Sequence, residues 1–259
     1  MNKKLVLKEF EIDELKVKVY SDRQSMGEQA AIEVGNKLKD LLDNQEYVRM
    51  IFAAAPSQNE LLEFLSLQEG IDWTRVTAFH MDEYLGLKDE SSQLFSTYLR
   101  EKIYAKISLG KVYSIDSNSN NLMEECARYA DLLKQAPIDI ICMGIGENGH
   151  IAFNDPVAAD FADPELVKIV NLDNISRQQQ VNDGCFASLD LVPIKAITLT
   201  IPTLMSGRYL FVVVPGHTKS NAVFKVIREK INKDCPASVL RKHDNSILYL
   251  DRESASKII

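Results

Sequence analysis

"IDIICMGIGENGHIAFNDP", Ile138 to Pro156, is the stretch on which the reading of this chain turns. Its start, Ile138 to Met143, is a near-continuous apolar run, the pattern of a central strand covered on both faces. It then enters Gly144-Ile-Gly-Glu-Asn-Gly149, which fits Gly-x-Gly-x-x-Gly, a loop that holds dinucleotides in some α/β proteins. Such a loop needs a helix opening at its third glycine, because the pyrophosphate rests on that helix N-terminus. Here "HIAFNDP" follows Gly149, and Pro156 disfavours helical backbone at Asp155. No nicotinamide or flavin site is expected. The stretch offers instead a polar cluster of Glu147, Asn148, His150, Asn154 and Asp155 on a backbone made pliable by glycine. The spacing also lets a carboxylate at Asp155 orient the His150 imidazole.

Outward from this strand the chain alternates strand and helix patterns. "LKVKVYSD", "YVRMIFAAA", "RVTAFHM" and "KVYSID" precede it as strands. Between them lie the helix patterns "EQAAIEVGNKLKDLLDN", "LLEFLSL", "SSQLFSTYLREKIYAKI" and "NNLMEECARYADLLKQ". Ser57-Gln-Asn-Glu60 matches a capping box, and Ser91 or Ser92 suits the cap of the third helix. After Pro156, "LVKIVNL", "AITLTI", "RYLFVVVP" and "SILYLD" read as strands, and "SRQQQVNDG", "TKSNAVFKVIREKI" and "ASVLRKH" as helices. The expected fold is α/β, a single-domain, doubly wound, mostly parallel sheet with helices on both faces, Rossmann-like in architecture. One domain spans residues 1–259, with a lid expected over 157–191, where apolar positions are sparse. Ligands of such sheets bind beyond the carboxyl ends of the strands. That rule selects four segments: Ala54 to Glu60, His80 to Gly86, Gly144 to Pro156, and Pro215 to Lys219.

The chain has 259 residues, enough to bury a large core without disulfides or metals. Its net charge of −7 disfavours a general nucleic-acid surface. Cys126, Cys142, Cys185 and Cys235 form neither a Cys-x-x-Cys pair nor a zinc spacing, which favours a reducing cytoplasm. The apolar stretch of "MNKKLVLKEFEIDEL" is broken by charges, so no signal peptide is expected, and no run is long enough to span a membrane.

"FHMDEYLGL" (Phe79 to Leu87) and "MGIGENGHIAFNDP" (Met143 to Pro156) together resemble the glucosamine-6-phosphate deaminase (isomerase) family. The resemblance extends through Arg177 in "ISRQQQ" and Lys219 in "PGHTKS". It implies an enzyme that opens an amino-sugar phosphate ring, moves a proton from C2 to C1 and releases ammonia. By that resemblance Asp82 is the C2 base and His150 the ring-opening acid/base, with Asp155 and Asn148 orienting it. Ser57, Gln58, the Gly149 backbone, Arg177 and Lys219 then bind the substrate, the last two at its phosphate. It implies no metal, no cofactor, and no partner beyond a small-molecule sugar phosphate. Family members include monomers and hexamers, so a homo-oligomer is compatible with it.

Three departures from the family pattern bear on function. Asp155 stands where Glu is common, and Asn148 where Asp is common. The loop after the second strand, "AAAPSQNE", lacks the family's glycines. These departures keep a galactosamine 6-phosphate substrate, 6-phosphogluconolactone hydrolysis and a non-catalytic sugar-phosphate sensor in view as alternatives. His80 is expected beside the cleft, His217 near the phosphate and His243 at the surface.

Overall fold

The structure, a computed structural model, describes residues 6–259. The start of the N-terminal segment read above, residues 1–5, lies outside the described residues.

Eleven strands form two sheets. They are β1 (Val6–Ile12), β2 (Leu15–Tyr20), β3 (Val48–Phe52), β4 (Val76–His80), β5 (Asp82–Tyr84), β6 (Lys111–Tyr113), β7 (Ile140–Met143), β8 (Val167–Asn171), β9 (Lys195–Leu199), β10 (Tyr209–Val214) and β11 (Ser246–Asp251). The helices are α1 (Arg23–Asn44), α2 (Asn59–Ser66), α3 (Phe95–Lys102), α4 (Leu122–Lys134), α5 (Asn174–Asn182), α6 (Ile201–Met205) and α7 (Ser220–Arg228). The main sheet runs β1-β2-β11-β10-β7-β3-β4-β6. All its pairings are parallel except the β1–β2 hairpin at one edge.

The apolar runs of the central strands alternate between two cores. Ile140 and Cys142 of β7 join Met50 and Phe52 of β3 on the face covered by α1, α2 and α3. Ile141 and Met143 join Ile51 on the opposite face, under α4, α6 and α7. A strand buried on both sides must be apolar at successive positions, which is why β7 shows no period-two pattern. The doubly wound reading therefore holds.

Two strands read after Pro156, β8 and β9, leave the main sheet. With β5 they make a three-stranded antiparallel sheet in the order β5-β9-β8. β5 itself was unseen as a separate strand. The sequence resembles one strand through Met81, but the chain bends there, and Asp82 to Tyr84 pair with Ala196 to Thr198. This places Asp82 between the two sheets.

The chain builds outward from β3 through β4 to β6, then returns to β7, β10 and β11 on the other side of β3. Neighbouring connections therefore diverge between β3 and β7 and open a crevice at their carboxyl ends. The four segments selected from the sequence follow β3, β4, β7 and β10, four adjacent strands of this sheet.

Two expected caps do not form. Ser57 lies in a short 3-10 turn, Pro56–Gln58, and α2 starts without a side-chain cap. Pro56 begins that turn early and moves Ser57 out of capping register. α3 starts at Phe95, beyond Ser91 and Ser92, and its preceding residue Leu94 cannot cap it. Its N–H groups are met from another strand, by Glu83 of β5.

Candidate active site

Beyond the carboxyl ends of β3 and β7 lies a narrow cleft open to solvent. Asp82, His150, Ser57, Gln58 and Lys219 all line it, with Phe95, Phe153, Gln179 and Gln180. Residues more than 130 positions apart in sequence, Asp82 and Lys219 among them, thus meet at one crevice.

The glycine turn positions His150. Gly149 has φ of +88°, a left-handed conformation that L side chains resist, and no helix follows it. A Cβ on Gly146 would fall 2.1 Å from His150 Cε1, so the imidazole packs directly over that backbone. Gly149 does not face the ligand. Its N–H donates to the Gly146 carbonyl, and its own carbonyl accepts from Ala237 N–H. Gly144 and Gly146 line the cleft in its place.

The network behind His150 defines its tautomer. Asn148 Nδ2 donates to Asp155 Oδ1 at 2.9 Å and to Asp173 Oδ2 at 3.0 Å, so its Oδ1 must be the atom turned to the ring. That oxygen is 2.8 Å from His150 Nδ1. The Ser176 hydroxyl donates to Asp155, leaving Oγ to accept from Nδ1 at 2.8 Å. Asp155 Oδ1 itself lies 3.2 Å from Nδ1. Acceptors on every side assign the proton to Nδ1 and leave the Nε2 lone pair for a substrate. Asn148 therefore does what a tautomer-fixing acceptor must. The negative charge comes from Asp155, with Asp173 one amide further away.

Asp155 is fully buried. Burial pushes its carboxyl up, but hydrogen bonds from His150, Asn148 and Ser176 and the imidazole's charge outweigh this and lower it to about 2. The Asp173 N–H adds a further donor at 3.0 Å to Oδ2. Its shorter side chain reaches the ring without an intervening group, as 3.2 Å allows.

Asp82 is 7% exposed, and its environment acts the other way. Burial first, then the Glu83 charge, hold its carboxyl well above the ordinary range, and the Phe153 N–H offsets this only in part. His80 does not line the cleft. It is buried, with Nδ1 on the Asp82 carbonyl at 2.8 Å and Nε2 accepting from Ile115 N–H at 2.9 Å. Burial lowers its proton affinity, so it acts as a neutral brace under the base.

The phosphate-side residues divide. Lys219 is 4% exposed and lines the cleft, with no hydrogen bond or ion pair from its ammonium among the described residues. Burial lowers its pKa, opposed by the charges of Asp183 and Glu147. Ser57, released from capping, presents its hydroxyl to the cleft. Gln58 Nε2 is held by the Val213 carbonyl at 3.0 Å and by Ser57 Oγ at 3.1 Å. Arg177 is not brought to the cleft. Its guanidinium donates to the carbonyls of Leu189 (2.7 Å) and Val192 (2.9 Å) and so ties down the turn before β9. It is only partly buried, whereas Ser176, Gln179 and Gln180 are buried on α5. His217 is exposed and outside the cleft lining, and His243 is half-buried against the Gly207 carbonyl at 2.7 Å.

Sequence reading missed Ser176, Asp173, Gln179, Gln180 and Glu83. Ser176 and the glutamines lay inside "ISRQQQ", where Arg177 drew the attention. The i, i+3, i+4 spacing beside that arginine was the available signal: Ser176, Gln179 and Gln180 share the buried face of α5.

A family described as glucosamine-6-phosphate isomerases/6-phosphogluconolactonase matches residues 21–249. The chain belongs to this family. It is 32% identical over 193 residues to a glucosamine-6-phosphate deaminase of Clostridium novyi, covering 73% of this chain and 78% of that protein. A Streptococcus suis deaminase is 32% identical over 200 residues, covering 76% and 83%. Among solved structures, a monomeric glucosamine-6-phosphate deaminase superposes with a TM-score of 0.84 at 27% identity, covering 93% of this chain and 98% of the other. A Thermotoga maritima 6-phosphogluconolactonase shares the fold, with a TM-score of 0.74 at 18% identity over 92% and 99%. The deaminase-type enzyme expected from the two motifs is thus borne out at the level of the family. Among the described residues no helix is long and apolar enough to cross a membrane.

Proposed function

We propose that the protein converts a hexosamine 6-phosphate, glucosamine 6-phosphate first, to the ketose phosphate and ammonia. The observation that carries this is the pair of buried groups facing one cleft: Asp82 with raised proton affinity, and His150 with a free Nε2. His150 Nε2 takes the O1 proton and returns a proton to the ring oxygen, so the C1–O5 bond breaks and an aldehyde forms. Asp82 then removes the C2 proton while the substrate's ammonium passes a proton to O1, giving an enolamine; Asp82 delivers its proton to C1, which leaves an iminium at C2. Water hydrolyses this iminium and releases ammonia. Lys219 and the Ser57 hydroxyl hold the phosphate, and the amide of Gln180 takes the place Arg177 was expected to fill.

α5 acts as the moving part of the lid. β8, also within residues 157–191, is tied into the small sheet, so closure is confined to α5 and its flanking turns. Hydrogen exchange in α5 slows on addition of substrate; equal protection with and without it overturns the lid.

The direct test is ammonia release from glucosamine 6-phosphate and from galactosamine 6-phosphate, with lactone hydrolysis run beside them. Ammonia from the first supports the reading. Folded protein that releases none from either sugar refutes it.

A further inference from the structure

Asp82 is followed by a second buried carboxylate that the reaction does not call on. Glu83 is 0% exposed, yet it makes no ion pair with a Lys or Arg among the described residues. Successive residues of β5 point to opposite sides, so Asp82 is turned to the cleft and Glu83 away from it. Both Glu83 oxygens accept backbone N–H groups. Oε1 takes Phe95 N at 2.8 Å and Tyr84 N at 3.1 Å, and Oε2 takes Ser96 N at 2.9 Å. Phe95 and Ser96 open α3, whose own N-cap position holds Leu94 and supplies no side-chain bond. A helix start has unmet donors and a positive dipole end, and both favour an anion there. Glu83 thus caps α3 from a different strand.

The cap closes a ring of contacts around the base. Phe95, whose N–H Glu83 holds, stacks on Phe153 with centroids 5.6 Å apart and lies tilted against Tyr84 at 4.7 Å. Phe153 N–H donates to Thr198 Oγ1 at 3.1 Å, on the strand that pairs with Asp82, and lies close enough to the Asp82 carboxylate to lower its proton affinity in part. Phe95 and Phe153 both line the cleft beside Asp82.

We propose that Glu83 is a positioning residue for the isomerase step: by capping α3 it holds the Phe95–Phe153 wall, and with it Asp82, in the geometry that reaches C2. This rests on the reading of Asp82 as the base. The Glu83 charge has a second effect, since a like charge one residue away strengthens proton binding at Asp82. The other ionisable groups around Asp82 are His80 and Tyr84 on its own chain segment, and His150 and Lys219 across the cleft. None of them is chemically altered when only Glu83 is changed.

The experiment is the pH profile of C2-proton exchange with solvent, with KM and Tm, for the wild type, Glu83→Gln and Glu83→Asp. Glu83→Gln keeps an acceptor but loses the charge and one strong N–H bond. Its kcat should fall at least tenfold at nearly constant KM, and its acid limb should move to lower pH. Glu83→Asp keeps the charge but cannot span both Phe95 and Ser96. Its kcat should fall at least threefold with the acid limb at the wild-type position. A purely structural Glu83 would lower Tm and the active fraction together and leave the limb of Glu83→Gln unmoved; that result overturns the inference. Should Glu83→Gln not fold, Glu83→Asp decides: wild-type kcat, or a fall in kcat no larger than the loss of folded protein, refutes the role, and a kcat per folded molecule reduced at constant KM upholds it. Absence of C2 exchange in the wild type would instead refute the isomerase reading itself, so the two failures are separable.

Discussion

Asp82 and Asp155 are both buried carboxylates at one cleft, and their surroundings drive them apart. Asp155 receives Ser176, Asn148 and a backbone N–H, beside an imidazole, and is held at about 2. Asp82 has the Phe153 N–H and a neighbouring carboxylate, and is held well above the usual range. Burial is common to the two, so burial does not set the sign; the count of donors and the nearest charge do. One acid becomes a lasting anion that holds His150. The other, in the proposed reaction, is the base that takes a proton from carbon and gives it back.

The contrast can be broken most severely at the base. Asp82→Asn should lower C2-proton exchange by about 10³-fold, the scale of a lost general base, with KM nearly unchanged. Retained exchange would refute Asp82 as the base.

The anion comes next. Asp155→Asn should leave the fold intact but loosen the His150 ring, lowering kcat by about 10²-fold. An unchanged kcat would show that Asn148 and Ser176 suffice to hold the imidazole.

The two acids should also give opposite pH signatures in stability. Asp155 is held below its ordinary 3.8, so its contribution is present above pH 4 and is lost as pH falls through about 2. At about 1.4 kcal/mol for each pH unit, that is about 2 kcal/mol. Asp82 is held above 3.8, so its contribution is full below pH 4 and is lost as pH rises through its folded pKa. Asp82→Asn should therefore raise Tm at pH 7, whereas Asp155→Asn should lower it. Thermal melts of both variants across pH 3 to 8 check the signs.

The smallest effect belongs to Arg177. Arg177→Gln should change KM by less than about twofold and lower Tm slightly, because its bonds go to the Leu189 and Val192 carbonyls. A tenfold rise in KM would return Arg177 to the phosphate.

The parts of the site that were legible lay on strand ends. Asp82, His150 and Lys219 each follow an apolar strand whose pattern is local, and the doubly wound rule sends such ends to one crevice. Asp155 and Asn148 were legible because they share the glycine turn with His150. Ser57 was read in two ways, and the turn at Pro56 decided for the cleft. Arg177 and Gly149 were misplaced, because their groups are used by segments distant in sequence: the 189–192 turn for one, Ala237 for the other. Asp173 and Glu83 had no local signal, since each acts across a gap between elements.

The apolar runs, the glycine turn and the two polar motifs determined by themselves that this is a doubly wound α/β enzyme with Asp82 and His150 at strand ends. Their information is local: it lies in periodicity, in permitted backbone angles and in residue order. Only the tertiary structure showed that the Asp82 carboxyl is held above the usual range and the Asp155 carboxyl below it. Proton affinity depends on the donors and charges gathered around a group in space, and those come from α5, the 153 backbone and a neighbouring strand.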